Sequence, residues 1–189
     1  MPDGAVDEPD VREEAKHLLD PSASLEWPAP DAVLEMAAAL GRRGDFGTAR
    51  SLLKQALDRG VPPDLVHTFQ QQLALSTYKD PELRDAEALE LALRMVTGGT
   101  TSPPPHGDPD AYGIPGAILK RLHTVTGDRI HLERSLRFYE RGWDQLDDYY
   151  NGINAAFVLD LLADEMDPED AAVDGLRARA REIRTGVLA

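Results

Sequence analysis

Cysteine is absent from this 189-residue chain. That removes disulfides, iron–sulfur clusters, thiolate zinc sites and cysteine nucleophiles together. Long apolar runs are missing too. None approaches the ~18 residues that a membrane-spanning helix needs, and the stretch from Met1 to Asp10 is acidic, unlike a secretory signal. Positive charge is scarce: 20 Lys and Arg stand against 34 Asp and Glu, a formal charge of −14. Duplex DNA and anionic membrane surfaces would repel such a chain. Strand patterning is also lacking, because no stretch alternates apolar and polar residues for more than a few positions. The expectation is a cytoplasmic protein with one domain of ordinary size or a short repeat array.

What is present is helical spacing. Pro9 to about Asp20 reads as a first helix, with Val11, Ala15, Leu18 and Leu19 on one face, and Pro21 to Pro30 as a linker. Asp31 is placed as the N-cap of the next helix, whose stripe of Leu34, Ala37, Ala38 and Leu40 ends at Gly41 to Gly44. Helices are then expected over about Phe46–Arg59, Asp64–Tyr78 and Glu82–Val96. Gly98 to Pro109, with three consecutive prolines, forms no regular element and reads as a flexible insert. Four more helices follow, at about Gly113–Thr126, His131–Trp143, Tyr149–Asp164 and Pro168–Thr185.

One leading helix and four helical pairs suggest a repeat. Ala37, Leu40, Gly44, Phe46, Ala49, Leu53, Ala56 and Pro62 follow the small–large spacing of a tetratricopeptide repeat, in which small residues let paired helices approach closely. The pattern returns at Gly116, Gly127, Leu132, Leu136 and Tyr139. Ala37 to Gly116 accommodates two periods of about 34 residues, and the Pro-rich insert supplies the excess. The fold expected is all-α: a degenerate tetratricopeptide-like α-solenoid of about four hairpins plus an N-terminal helix. The division expected is an acidic helix and linker over 1–30 and a repeat domain over 31–189.

Charge is unevenly spread. Met1 to Asp31 has two basic and nine acidic residues, and Asp144 to Asp170 has nine acidic and none basic. Between them, Gly113 to Trp143 carries Lys120, Arg121, Arg129, Arg134, Arg137 and Arg141 against three acidic residues. Two readings stand. In one, these cations pair with acidic neighbours along a solvated face, where each pair contributes little. In the other, they line a site for phosphate or carboxylate, which arginine grips with a forked donor. In a helical-pair solenoid the first helix of each pair lines the ligand-bearing surface. Lys120 is therefore a better candidate than Arg137. Tyr78, Lys79, Tyr149, Tyr150 and Asn154 lie at helix ends from which they could share that surface.

Other chemistry is thin. The five histidines lack the i, i+4 spacing of zincins, so no metal site is expected. Gly98-Gly99-Thr100-Thr101 resembles a phosphate loop in composition alone, without its lysine or a preceding strand. Asp144, Asp147 and Asp148 do not follow a calcium-loop pattern. No catalytic constellation is visible, and no cofactor is implied.

Several ordered motifs carry a resemblance: Ser76-Thr77-Tyr78-Lys79-Asp80-Pro81, Gly116-Ala117-Ile118-Leu119-Lys120-Arg121, Thr126-Gly127, His131 to Leu136, and Tyr150 to Ala156. Over about residues 64–163 they are similar to the TRAFs-binding domain, the tetratricopeptide-like central region of apoptosis signal-regulating kinases and their bacterial homologues. The resemblance implies a non-catalytic module that regulates a signalling or defence effector by binding a protein partner, with a phosphate-bearing nucleotide ligand as the alternative. Carried onto this chain, its polar positions are Tyr78, Lys79, Lys120, Arg121, Arg134, Tyr150 and Asn154. A small hydrolase using a carboxylate base is the third reading.

Overall fold

Every regular element among the described residues is an α-helix. The structure, a computed structural model, describes residues 10–22, 26–83 and 86–188. In chain order the helices are α1 (Val11–Leu19), α2 (Pro30–Arg42), α3 (Phe46–Arg59), α4 (Val66–Lys79), α5 (Ala86–Thr97), α6 (Pro109–Thr126), α7 (Arg129–Leu146), α8 (Tyr149–Asp164) and α9 (Ala171–Val187). The fold class is all-α and tetratricopeptide-like. The chain divides into two compact units, residues 1–82 and 83–189.

The boundaries follow local chemistry. Aspartates cap α1, α3, α6, α7, α8 and α9, each side chain accepting a backbone N–H of the first turn. Such a cap satisfies donors that have no partner within the helix. Asp31 is not one of them. Pro30 occupies the first position of α2 behind Ala29, which offers no side-chain cap. Proline fits there because its fixed φ suits the helix and its missing N–H would have had no partner anyway. Helix α6 begins at Pro109 rather than Gly113, by the same device behind Asp108, and runs through Pro115. Helix α9 begins at Ala171, three residues after the expected Pro168, because Asp170 supplies its cap. Pro9 lies outside the described residues.

In the first unit, α2 and α3 form a hairpin around Gly44, whose φ of 77° falls in the left-handed region. Val33, Met36, Leu40, Leu52, Leu53 and Phe69 form its core. Helix α1 packs on α3 and α2, and is tied by ion pairs from Arg12 to Asp45 and from Arg43 to Asp10.

In the second unit, Gly127 adopts φ 69° and donates its N–H to the His123 carbonyl at 2.7 Å, closing α6. Asp128 then opens α7. The two helices run antiparallel, since Ser135 Oγ donates to the Gly116 carbonyl at 2.8 Å while Tyr112 meets Gln145 at the far end. The close approach depends on Gly116: a Cβ there would lie 2.8–2.9 Å from the Tyr139 ring. Gly152 is wedged likewise on α8, where a Cβ would come within 2.6 Å of Trp143 and 2.7 Å of Val187. Helix α8 is thereby enclosed by α7 and α9, so it is apolar on most sides. The segment from Gly98 to Asp108 has no regular structure, yet it is anchored. The Pro105 carbonyl accepts from Gln145 at 2.8 Å and from Arg141 at 3.2 Å.

Candidate functional site

Helices α6 and α8 are the first members of successive hairpins and run side by side in the same direction. Gly113 meets Tyr150 near their N-terminal ends, and His123, in the last turn of α6, meets Glu165, the C-cap of α8, at 2.8 Å. Positions one repeat apart therefore face each other. Lys120 on α6 donates from Nζ to Asn154 Oδ1 at 2.8 Å, across a separation of 34 residues. Asn154 Nδ2 donates in turn to the Tyr150 carbonyl at 2.8 Å, which fixes the orientation of the amide.

Aromatic rings surround this ammonium. Its Nζ lies 5.0 Å from the Phe157 ring centre and 5.7 Å from that of Tyr139, and Tyr139 meets Tyr150 edge-on at 6.3 Å. The ring quadrupoles attract the cation but do not neutralise it. Burial pushes the Lys120 pKa below the ordinary lysine value, because a half-buried ammonium loses hydration. Among the described residues no carboxylate pairs with Lys120. Tyr149, Tyr150 and Phe157 are large side chains left substantially exposed. A partly desolvated cation bordered by exposed rings can bind an anion attached to a flat or apolar group.

The residues expected from the sequence fall in three places. Lys120, Tyr150 and Asn154 come together. Arg121 follows Lys120 on α6, half-buried, with no ion pair among the described residues. Arg134 lies elsewhere, on α7, where it and Glu90 of α5 both act on His131. Its Nε is buried with no hydrogen-bond partner. Tyr78 and Lys79 close α4 in the first unit, with the Lys79 ammonium 6.0 Å from the Tyr78 ring centre. There Lys79 borders an open groove of about 310 Å³ between α2 and α4.

Sequence reasoning missed three neighbours. Phe157 stands seven residues after Tyr150 and three after Asn154, so helical spacing alone places it on the same face. Tyr139 supports the site from behind. Arg42 lines the groove in the first unit opposite Lys79.

The remaining basic residues mostly pair with acid. Arg129 meets Glu133 at 3.1 Å, and Arg179 reaches Glu140, Asp144 and Glu182 at 3.0–3.5 Å. Among the described residues no cluster of His, Asp and Glu is arranged to hold a metal, and no helix is long and apolar enough to cross a membrane.

No curated protein and no solved structure matches the chain. Residues 45–159, more than half of its length, match the family model described as Tetratricopeptide Repeats-Sensor, and the chain belongs to that family.

Proposed function

We propose that this chain is a non-catalytic regulatory module that binds a protein partner through the α6/α8 face. The observation that carries the reading is Lys120: a half-buried ammonium whose hydrogen-bond acceptor is the neutral Asn154, beside the exposed Phe157 ring. Holding a cation there without a carboxylate costs solvation, and an acidic group on a partner restores it. Tyr150 and Phe157 supply rigid aromatic contact area of the kind enriched at recognition surfaces. Tetratricopeptide-like folds generally mediate protein interactions, and family membership supports the same role here. The resemblance to the TRAFs-binding domain favours a partner in a signalling or defence pathway. The repeat domain is taken to run over 31–189, with 1–30 as an acidic extension.

The test is a pull-down from the native host with wild-type protein, Lys120→Glu and Arg137→Glu. A partner lost with Lys120→Glu and retained with Arg137→Glu supports the reading. A set of captured proteins unchanged by Lys120→Glu removes it.

A nucleotide sensor is the second reading, favoured by the rings around the cation. A base can stack on Tyr150 or Phe157 while a phosphate meets Lys120 and Arg121. A nucleotide at 100 times its dissociation constant would then stabilise the fold by about 2.7 kcal/mol. A melting temperature unmoved across a nucleotide panel rules it out.

A further inference from the structure

We propose that Lys120 is a modification site, acylated on Nζ by a small acyl phosphate without the help of an enzyme. It falls on the face assigned above to a partner, and its effect on recognition rests on that reading, whereas the reactivity does not.

The chain holds four lysines. Lys16, Lys54 and Lys79 are exposed, and Lys16 pairs with Glu13 at 2.8 Å. Lys120 alone is half-buried, with the rings of Phe157 and Tyr139 at 5.0 and 5.7 Å and a neutral amide as its acceptor. An ammonium in water keeps its proton near neutrality, and that proton occupies the lone pair that would attack. At Lys120 the ring quadrupoles favour the ammonium, but lost hydration outweighs them and leaves the pKa below the ordinary lysine value. With the Brønsted slope of about 0.4–0.5 known for thiol nucleophiles, each tenfold gain in neutral amine lowers its intrinsic nucleophilicity only about threefold. The gain exceeds the loss.

The geometry suits the product as well as the reactant. Nζ donates to Asn154 Oδ1 at 2.8 Å, and the amide is held in place by its own bond to the Tyr150 carbonyl. An acyl-lysine keeps one N–H, which the same oxygen can accept. A carboxylate at that position would have lost an ion pair, and the neutral amide loses none. The acyl group replaces a partly desolvated charge beside the exposed Phe157 ring, so acylation relieves a solvation cost.

The donor class follows from what surrounds Nζ. Among the described residues neither a histidine nor a carboxylate bonds to it, so no side chain stands ready to protonate a poor leaving group. An acyl phosphate needs none. The neutral amine attacks the carbonyl carbon and a C–N bond forms. The C–O bond to phosphate breaks, and phosphate departs with the electron pair and takes up the proton released by the nitrogen. Residues 113–143 carry six cations against three acids in a chain of net charge −14, a local potential that draws such an anion.

The test is acetyl phosphate on the full chain, with no partner present, and peptide mass spectrometry to follow acetylation of each lysine over time. Near neutrality Lys120 should react at least about threefold faster than Lys16, Lys54 or Lys79, the net gain expected for one tenfold rise in neutral amine. Its lead should narrow as pH rises towards 10.5 and vanish in denaturing urea. Asn154→Asp sets a carboxylate beside the ammonium and should slow Lys120 at least about threefold, with the other three lysines and the circular dichroism spectrum unchanged. Lys120 reacting no faster than the exposed lysines overturns the proposal. So does a lead that survives in urea, or a Lys120 rate unmoved by Asn154→Asp. Because the readout needs no partner, its failure is separate from that of the pull-down.

Discussion

Lys120 and Asn154 are 34 residues apart in sequence and 2.8 Å apart in space. One repeat period thus becomes one hydrogen bond, and the pair links the leading helices of two successive hairpins. Because burial lowers the Lys120 pKa, the unfolded chain binds more protons than the folded one between the lowered value and the ordinary value of 10.5. Stability therefore rises with pH across that window. Lysine side-chain NMR should find Lys120 deprotonating below 10.5. Asn154→Asp, which puts a carboxylate beside the ammonium, should move that titration upward.

An anion bound at this face would hold the proton on Lys120 to higher pH. Affinity should be flat near neutrality and fall as pH rises through the lowered lysine pKa. Lys120→Met should weaken binding and abolish that alkaline limb, measured by titration calorimetry across the pH range.

Two glycines should respond in opposite directions. Gly152→Ala drives a methyl toward Trp143 and Val187, so it should destabilise by about 1–3 kcal/mol. A methyl on Gly175 would meet nothing within 4 Å, and this glycine lies inside α9. Gly175→Ala should stabilise by about 0.5–1 kcal/mol through helix propensity. Urea denaturation of the two variants reads both signs.

Asp45 caps α3 through the Thr48 N–H and pairs with Arg12. Desolvation raises its pKa, but the hydrogen bonds from Arg12 and Thr48 outweigh that and leave it below the ordinary carboxylate value. Its contribution is present above the unfolded-state pKa, about 3.9, and is lost as pH falls through the lower folded value. Asp45→Ala should cost about 1 kcal/mol for the cap alone and loosen α1, seen as faster amide exchange over Val11–Leu19.

Arg179 draws Glu140, Asp144 and Glu182 together. Burial raises the Glu140 pKa, and Arg179 partly offsets this. A raised folded value means that stability falls as pH rises through the window between the unfolded and folded pKa. Arg179→Leu should widen that window and lower the melting temperature at pH 7, with part of the loss recovered near pH 5.

The helices are largely legible in the sequence because apolar residues recur at helical spacing and aspartates mark the starts. Phe46–Arg59 and Tyr149–Asp164 are bounded as the sequence suggests. The start of α6 is not, because Pro109 reads as the end of a proline-rich insert, whereas behind Asp108 it initiates the helix. At the site, the Lys120–Asn154 pair is accessible through the repeat period. Phe157 is accessible by its spacing from Tyr150 and Asn154, but Tyr139 is not, since an aromatic residue at helical spacing looks the same whether it fills a core or borders a cation. Arg134 shows the limit of grouping charges along the chain. It shares a basic segment with Lys120 but sits on the second helix of the hairpin, beside His131. Arg42, at the end of its helix, looks in sequence like any cation complementing a helix C-terminus.

The parallel placement of α6 and α8 separates two evolutionary tasks. Rungs such as Lys120 and Asn154 can be exchanged without disturbing the glycine–aromatic seams behind them, which keep the hairpins closed. The surface chemistry of this face can therefore drift without eroding the scaffold.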